Sequence, residues 1–475
     1  MAQLKDQIMK HTNSTSRRRF LQTAAAYAVG FAGLQMFATG CSTSSKKSAS
    51  KVGYGALLPD PDKILDLPKG FKYSIVSRTG DAMTDGLLVP AAPDGMATFA
   101  GPNGLTILIR NHEVGTSTSG ANGAFGKDLK LRTKLAKDRF YDAGRGDIPC
   151  QGGTSTVVFN TRTQAVVRQY LSLAGTLRNC AGGPTPWNSW ITCEETVELA
   201  GQQLDKHHGF NFEVPASATP MLADPIPLKA MGRFNHEAVA VDPKSGIVYE
   251  TEDRPDSLIY RFIPTEAGKL AKGGQLQALV FVDQKSIDTR NWKEATVPAG
   301  KRFAVRWVDI ENVDGRMDDL RYRGFNLGAA RFARGEGMWY GNGEIYFACT
   351  SGGKNQKGQI WRYKPSPYEG NKREKEAPGE VELFIEPNDD ALVDNADNLT
   401  VSPWGDLVIC EDGKGDQFLV GVTPQGEIYK LGHNPYTTSE FAGVTFSPDG
   451  TTLFVNIQKA GMTLAITGPW KRAVS

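Results

Sequence analysis

The chain has 475 residues, with 54 Lys and Arg against 52 Asp and Glu, 52 Gly, 26 Pro and a hydrophobic share of 40%. That length and apolar share support a sizeable core and exclude a disordered chain, and the near balance of charge excludes a broad cationic surface for nucleic acid. Beyond residue 40 no stretch approaches the ~18 consecutive apolar residues of a membrane-spanning helix, and six cysteines at this length do not make a disulfide scaffold.

The first segment in chain order reads as an address rather than as part of the fold. Ser16-Arg17-Arg18-Arg19-Phe20-Leu21 precedes a weakly apolar, Ala- and Gly-rich stretch from Gln22 to Met36, which predicts an export signal over residues 1–40. Paired arginines before Phe-Leu resemble a twin-arginine signal, so the twin-arginine export machinery is an expected partner. Next, Ala38-Thr39-Gly40-Cys41 resembles a lipoprotein cleavage box, with Cys41 acylated and residues 41–58 serving as a tether. Ordinary signal cleavage nearby is the alternative. The first 40 residues hold five basic side chains and one acidic one, so the mature chain is close to neutral. The expected compartment is periplasmic or extracellular, with membrane contact only through a lipid at Cys41 and a monomer as the default.

From residue 59 onwards one short phrase recurs: a turn rich in Gly, Pro, Asn or Asp, then an alternating apolar strand, then a polar or acidic end. Six segments carry it: Gly101–Glu113, Pro184–Glu195, Asp242–Asp253, Tyr340–Thr350, Ser402–Asp412 and Ser447–Gln458. Period-2 alternation after a turn is a strand signal, further short strands such as Gln359–Tyr363 and Val381–Ile385 lie between, and long helical periodicity is absent. Six such repeats predict an all-β chain, a six-bladed β-propeller over 59–475 with a metal site at its central channel. Equivalent strand ends meet at the channel, where Glu113, Glu195, Glu252, Glu411 and Asp412 are expected to converge. Carboxylates so crowded need either protons or cations. An acid that merely ends its strand in water is the bland reading of any one of them.

Other residues add to this set. Cys193, Cys349 and Cys410 occupy corresponding places in apolar strands and read as small buried hydrophobes. Cys180 differs: it sits in the Gly-rich loop Asn179-Cys180-Ala181-Gly182-Gly183-Pro184, where a thiolate among carboxylates favours iron or a similar ion over calcium. A Cys150–Cys180 disulfide is the competing reading, and Cys150 itself suggests no function. The tripeptides Asn111-His112-Glu113 and Asn235-His236-Glu237 match in sequence and predict matching positions. Arg334-Gly335-Glu336-Gly337 puts a guanidinium and a carboxylate on the same side of an extended backbone, as a ligand beside an oxyanion clamp or as a surface ion pair. Asp394-Asn395-Ala396-Asp397-Asn398 clusters oxygen donors, or is an Asx-rich turn.

Together, the twin-arginine segment, the run from Asn179 through Cys180 to Glu195, Phe234-Asn235-His236-Glu237, Arg334-Gly335-Glu336, Asp397-Asn398-Leu399 and Val408-Ile409-Cys410-Glu411-Asp412 resemble the PhoX-type alkaline phosphatases. The resemblance runs from about residue 55 to the C-terminus. It implies a six-bladed propeller whose channel holds iron (Fe3+) and calcium (Ca2+) and hydrolyses phosphate monoesters. By matching motif, Cys180 and Glu237 would be iron ligands, with Glu252 a rival for the place of Glu237. Glu195, Glu336, Asp397 and Glu411 would be shared between iron and calcium, and Arg334 would hold the substrate phosphate and act in catalysis. A calcium-dependent propeller lactonase, which has no need of Cys180, and a non-enzymatic envelope binding propeller are the competing classes. Gly-x-Ser-x-Gly and P-loop signatures are absent.

Overall fold

Alternating apolar residues between Gly- and Asp-rich turns fold as short antiparallel strands, because each buries one face and satisfies its backbone polar groups on its neighbours. The computed structural model describes residues 52–116, 122–145, 148, 150–201 and 203–471. Among them the single α-helix is Leu320–Asn326. The expected signal at 1–40, Cys41 and the first part of the tether lie outside the described residues. The remainder, residues 52–58, belongs to the folded body: the Tyr54 ring packs edge-on to Phe71 at 4.9 Å and to Trp470 at 5.8 Å, and Leu57–Leu58 pairs with Leu67–Pro68.

The sheets follow one another along the chain. Pro93–Ala100, Thr106–His112, Gly152–Asn160 and Ala165–Thr176 make a four-stranded meander, and Asn179–Pro184, Ser189–Glu194 and Asn211–Pro215 a three-stranded one. Two further meanders, beginning at His236–Val241 and Gly335–Gly341, are joined by Arg302–Asp309 into a nine-stranded sheet. Ala396–Val401 opens another four-stranded meander. The last sheet combines Phe441–Phe446, Thr452–Ile457 and Met462–Thr467 with Lys72–Arg78 from the other end of the chain. That pairing ties the two ends together and removes an open sheet edge.

The opening strands of these meanders touch in cyclic order. Pro93–Ala100 packs on Asn179–Pro184, that on His236–Val241, then Gly335–Gly341, Ala396–Val401, Phe441–Phe446 and back to Pro93–Ala100. The arrangement is all-β and propeller-like. Apolar side chains fill the spaces between successive sheets, with Trp190, Trp361, Phe212 and Phe262 fully buried.

Approach at the axis is close. A Cβ on Gly337 would lie 2.6 Å from Asn398 Cα, and one on Gly443, where φ is +65°, 2.2 Å from Asp94 O. Only glycine allows backbones that near.

Candidate metal centre

Every one of these inner strands carries a β-bulge at the same depth. The register with its partner breaks between Pro93 and Met96, Asn179 and Gly182, His236 and Val239, Gly335 and Met338, Ala396 and Leu399, and Ala442 and Thr445. A bulge re-aims the side chain of the extra residue. Here the pair within the break is Asp94-Gly95, Cys180-Ala181, Glu237-Ala238, Glu336-Gly337 and Asp397-Asn398, a donor followed by a small or amide residue, and the sixth break holds Gly443-Val444. The second members line a narrow central channel with Gly443. The first members put their donor atoms into one continuous cluster at its mouth.

Ligand-type atoms lie within 4.8 Å of one another in a chain of overlapping groups: Asp94–Glu113–Cys180, Cys180–Glu195–Glu237, Glu237–Glu336–Asp397 and Asp397–Asp412–Glu440. The Cys180 thiol donates to Glu237 Oε1 at 3.1 Å. Gln458 Nε2 bridges Asp94 Oδ2 at 2.7 Å and Glu113 Oε2 at 2.9 Å.

A second set of donors comes from the residue just past four of the six second strands, and here the period of two decides. His112, Glu194, Glu252 and Glu411 pair with the first residue of the facing inner strand or its break, and turn between strands. Their successors Glu113, Glu195, Asp253 and Asp412 turn towards the cluster. Glu411 therefore does not reach it: its carboxylate accepts from the backbone N–H groups of Asp394 and Phe418, both at 3.0 Å, and from Lys430 Nζ at 2.8 Å. Asp412 stands where Glu411 was expected. Glu252 is likewise turned away, accepting from Tyr260 OH at 2.8 Å, so of the two rivals Glu237 is the one within the cluster. Inner-strand bulges thus contribute as many acids as the second-strand ends, Asp94, Glu237, Glu336 and Asp397 beside Glu113, Glu195, Asp253 and Asp412.

Cys180, Glu195, Glu237, Glu336 and Asp397 are brought together, and Arg334 stands beside them. Arg334 donates from Nε and Nη2 to Asp253, each at 2.7 Å, and from Nη2 to Glu336 Oε1 at 2.9 Å. Its side chain is still 37% exposed. A second arginine was missed in the sequence: Arg178 pairs with Glu113 at 2.8 Å and with Glu195, and donates from Nε to the Glu195 carbonyl. The legible signal was spacing, since Arg178 precedes Cys180 by two residues as Arg334 precedes Glu336. Both arginines have left-handed backbones, φ +46° and +54°, a conformation that costs about 1–2 kcal/mol for a residue with a Cβ and that clusters at functional sites. Asp94, Glu440 and Asp253 were also missed; Asp253 was legible as the acidic end of its phrase, following Glu252 as Asp412 follows Glu411, whereas nothing in the local sequence marks Asp94 or Glu440.

The electrostatics ask for positive charge. Burial, then neighbouring Glu113, Glu195 and Asp253 respectively, holds Asp94, Glu237 and Glu336 well above the usual carboxylate range. Burial chiefly, opposed by Arg178, pushes Glu195 up to about 8. Burial and Asp412 push Asp397 to about 7 and Glu440 to about 11. Burial and Asp94 likewise raise the Cys180 thiol. A donor set that resists ionisation only for want of a counter-charge suits metal cations.

The sequence motifs resolve as follows. Cys150 and Cys180 are free thiols, so no disulfide joins them. Asn111 holds the Cys180 bulge, its amide donating to the carbonyls of Cys180 at 3.1 Å and Ala181 at 2.7 Å. The two Asn-His-Glu tripeptides are not equivalent: one closes a second strand and the other lies in an inner strand, and both histidines are buried. Cys193, Cys349 and Cys410 are buried, but Cys349 is offset by one residue and faces the position of Glu194 and Glu411.

The family model described as Alkaline phosphatase PhoX matches residues 52–461. No curated protein matches the chain. Among solved structures, the chain is similar to Pseudomonas fluorescens PhoX in complex with vanadate, a transition state analogue, at 18% identity and a TM-score of 0.62, over 89% of this chain and 98% of that one. A gluconolactonase from Xanthomonas campestris aligns at 11% identity and a TM-score of 0.36, over 88% of this chain and 99% of that one. A Bacteroides thetaiotaomicron protein of unknown function aligns at 9% identity and a TM-score of 0.42, over 84% of this chain and 76% of that one. The first likeness agrees with the propeller-like fold, and the family match spans nearly all of the described body. The chain belongs to the PhoX alkaline phosphatase family.

Proposed function

We propose that this chain hydrolyses phosphate monoesters at the axis of a six-bladed β-propeller, with iron and calcium held by the thiol and carboxylates of its inner strands. The observation that carries the reading is the set of bulges that aim Asp94, Cys180, Glu237, Glu336 and Asp397 at one place from five inner strands. The blade count is supported by the cyclic order of the six opening strands and by the closure through Lys72–Arg78.

The donor set differs from end to end. Cys180 and Glu237 offer a thiolate and a carboxylate, suited to iron, while Asp397, Asp412 and Glu440 offer oxygen alone, suited to calcium. Glu336 stands between the two ends, Glu195 beside Cys180 and Glu237, and both would be shared. Bound cations supply Lewis acidity and neutralise the charge of the transferring phosphoryl group. Arg334 does the docking: Asp253 takes its Nε–Nη2 fork and Glu336 accepts from Nη2 again, so the guanidinium is oriented before a phosphate dianion arrives at its remaining N–H donors. Arg178, anchored on Glu113 and Glu195, presents a second guanidinium from the start of Asn179–Pro184, two places round the ring from Gly335–Gly341. The same reading includes export by the twin-arginine pathway to the periplasm or beyond, acylation at Cys41, and a monomer; the Arg17-Arg18 segment and the Cys41 box support the first two.

The chain purified without chelator is expected to contain both iron and calcium and to hydrolyse p-nitrophenyl phosphate at alkaline pH, with turnover lost to chelator and regained with calcium. Calcium without iron or turnover would sink the reading, favour the lactonase or scaffold classes, and return Cys180 to a buried thiol.

A further inference from the structure

Cys150 suggested no function in the sequence, and the phosphatase reading does not use it. It lies immediately before the strand Gly152–Asn160, and the fold brings it to Asp142 and to His208 from the loop ahead of Asn211–Pro215. Asp142 and His208 are fully buried, and Cys150 is 5% exposed.

The histidine is held from behind. Its Nδ1 donates to Glu194 Oε1 at 2.6 Å. That carboxylate also accepts from the backbone N–H groups of Leu177 and Gly209 at 2.9 Å and Phe210 at 3.2 Å, so its charge is spent on fixed donors. On a neutral ring with Nδ1 thus carrying the hydrogen, the other nitrogen would offer Asp142 and Cys150 a lone pair. Without a cation, burial is outweighed by Glu194 and Asp142, which push the histidine up to about 12, so an ion would take the place of that second proton. A carboxylate behind a ligating histidine is the usual way a metal site sets the tautomer.

The spacing separates two explanations. Direct hydrogen bonds would draw Nε2 to about 2.8 Å from an oxygen. Instead Nε2 stands 3.4 Å from Asp142 Oδ2 and 3.9 Å from Cys150 Sγ, with all three donor atoms within 4.8 Å of one another. A tetrahedral ion with bonds of about 2.0–2.3 Å holds its ligand atoms about 3.3–3.6 Å apart, so the 3.4 Å pair already fits and Cys150 Sγ has to close in by a few tenths of an ångström. One thiolate, one imidazole and one carboxylate are a zinc-type set, and thiolate with carboxylate balance the charge of a divalent ion.

We propose that Asp142, Cys150 and His208 form a second metal site, for one Zn2+-class ion, with water in the fourth position. The ion cross-links Asp142 and Cys150 to His208. Through Glu194 it stiffens the strand end that carries Glu195, whose backbone N–H donates to Arg178 O at 2.9 Å. Its part is structural, since the pocket is closed to substrate.

The test uses the full chain with Cys180→Ser, so that the phosphatase cluster offers no thiol, prepared from zinc-supplemented cells and dialysed. Zinc near one per chain is expected, with a zinc-edge X-ray absorption spectrum showing one sulfur at about 2.3 Å and nitrogen or oxygen at about 2.0 Å. Adding Cys150→Ala or His208→Asn should lower bound zinc at least tenfold. If either double variant fails to fold, the spectrum of the Cys180→Ser parent decides alone. Absence of zinc, an all-oxygen shell, or zinc retained without Cys150 would overturn the proposal, leaving a protonated His208 bridging Glu194 and Asp142. The readout is metal content and ligand type, so it stands or falls separately from phosphatase activity.

Discussion

Side-chain direction at a single residue separates a ligand from a structural acid. Glu411 and Asp412 are neighbours in sequence, yet one is sealed among backbone N–H groups and Lys430 while the other joins Asp397 and Glu440. Asp412→Asn is therefore expected to lower kcat/KM roughly 10–100-fold and calcium content with it, at little cost in thermal stability. Glu411→Gln should do the reverse, losing about 1–3 kcal/mol of stability while the folded fraction keeps its turnover. Paired melting curves and kinetics on the two variants check this, and an exchanged pattern would put Glu411 back at the site. The motif Val408-Ile409-Cys410-Glu411-Asp412 was legible in the sequence; which of its two acids faces the axis was not. That choice rests on the register with Ala396 and on the bulge opposite, which only the paired strand defines.

At the scale of the element, the inner strand is a ligand holder built on one bulge. The sequence showed the second strands clearly, because they alternate. It hid the inner strands, whose Gly, Ala and Asn residues have no apolar periodicity and read as loop, as did Asn179–Pro184. Their composition answers to a neighbour distant in sequence: Gly337 lies against Asn398, and a Cβ there would also come within 2.7 Å of Asp397 O. Gly337→Ala should push apart the strands carrying Glu336 and Asp397, costing about 1–3 kcal/mol and a measurable share of bound metal. Gly415→Ala, where an added Cβ meets nothing within 4 Å, is the control. Equal metal content and melting temperature in the two variants would show that the inner strands have slack, against the close approach at the axis.

For the whole molecule, the ring concentrates acids that the fold alone does not neutralise. Glu195, Asp397 and Glu440 hold their protons more tightly in the folded chain than in an unfolded one, with values raised to about 8, 7 and 11. Raised folded values mean stability that is present at acid pH and lost as pH rises through them. The cation-free chain is thus expected to melt progressively lower from about pH 4, where the unfolded carboxyls ionise, to about pH 8, and on towards about pH 11. Iron and calcium should restore it most at the alkaline end, where the acids are ionised and the cations bind them best. A melting temperature of the chelated chain that is flat across this range would mean the acids do not face one another.

By itself the sequence determined the class of structure and most of the chemistry. Alternation after polar turns is a local property, enough to specify an all-β chain of repeated strands. Cys180, Glu195, Glu237, Arg334, Glu336 and Asp397 each had a bland alternative alone, and it was their occurrence together in one family's motifs that singled them out. What only the tertiary structure decided depends on contacts between elements that no local pattern connects. Closure through Lys72–Arg78 on Met462–Thr467 is one case, the pairing of Arg178 with Glu113 and Glu195 another, and the choice of Asp412 over Glu411 a third. The meeting of Asp142, Cys150 and His208 is of the same kind. Each is set by strand register and ring geometry, and no stretch of local pattern carries that information.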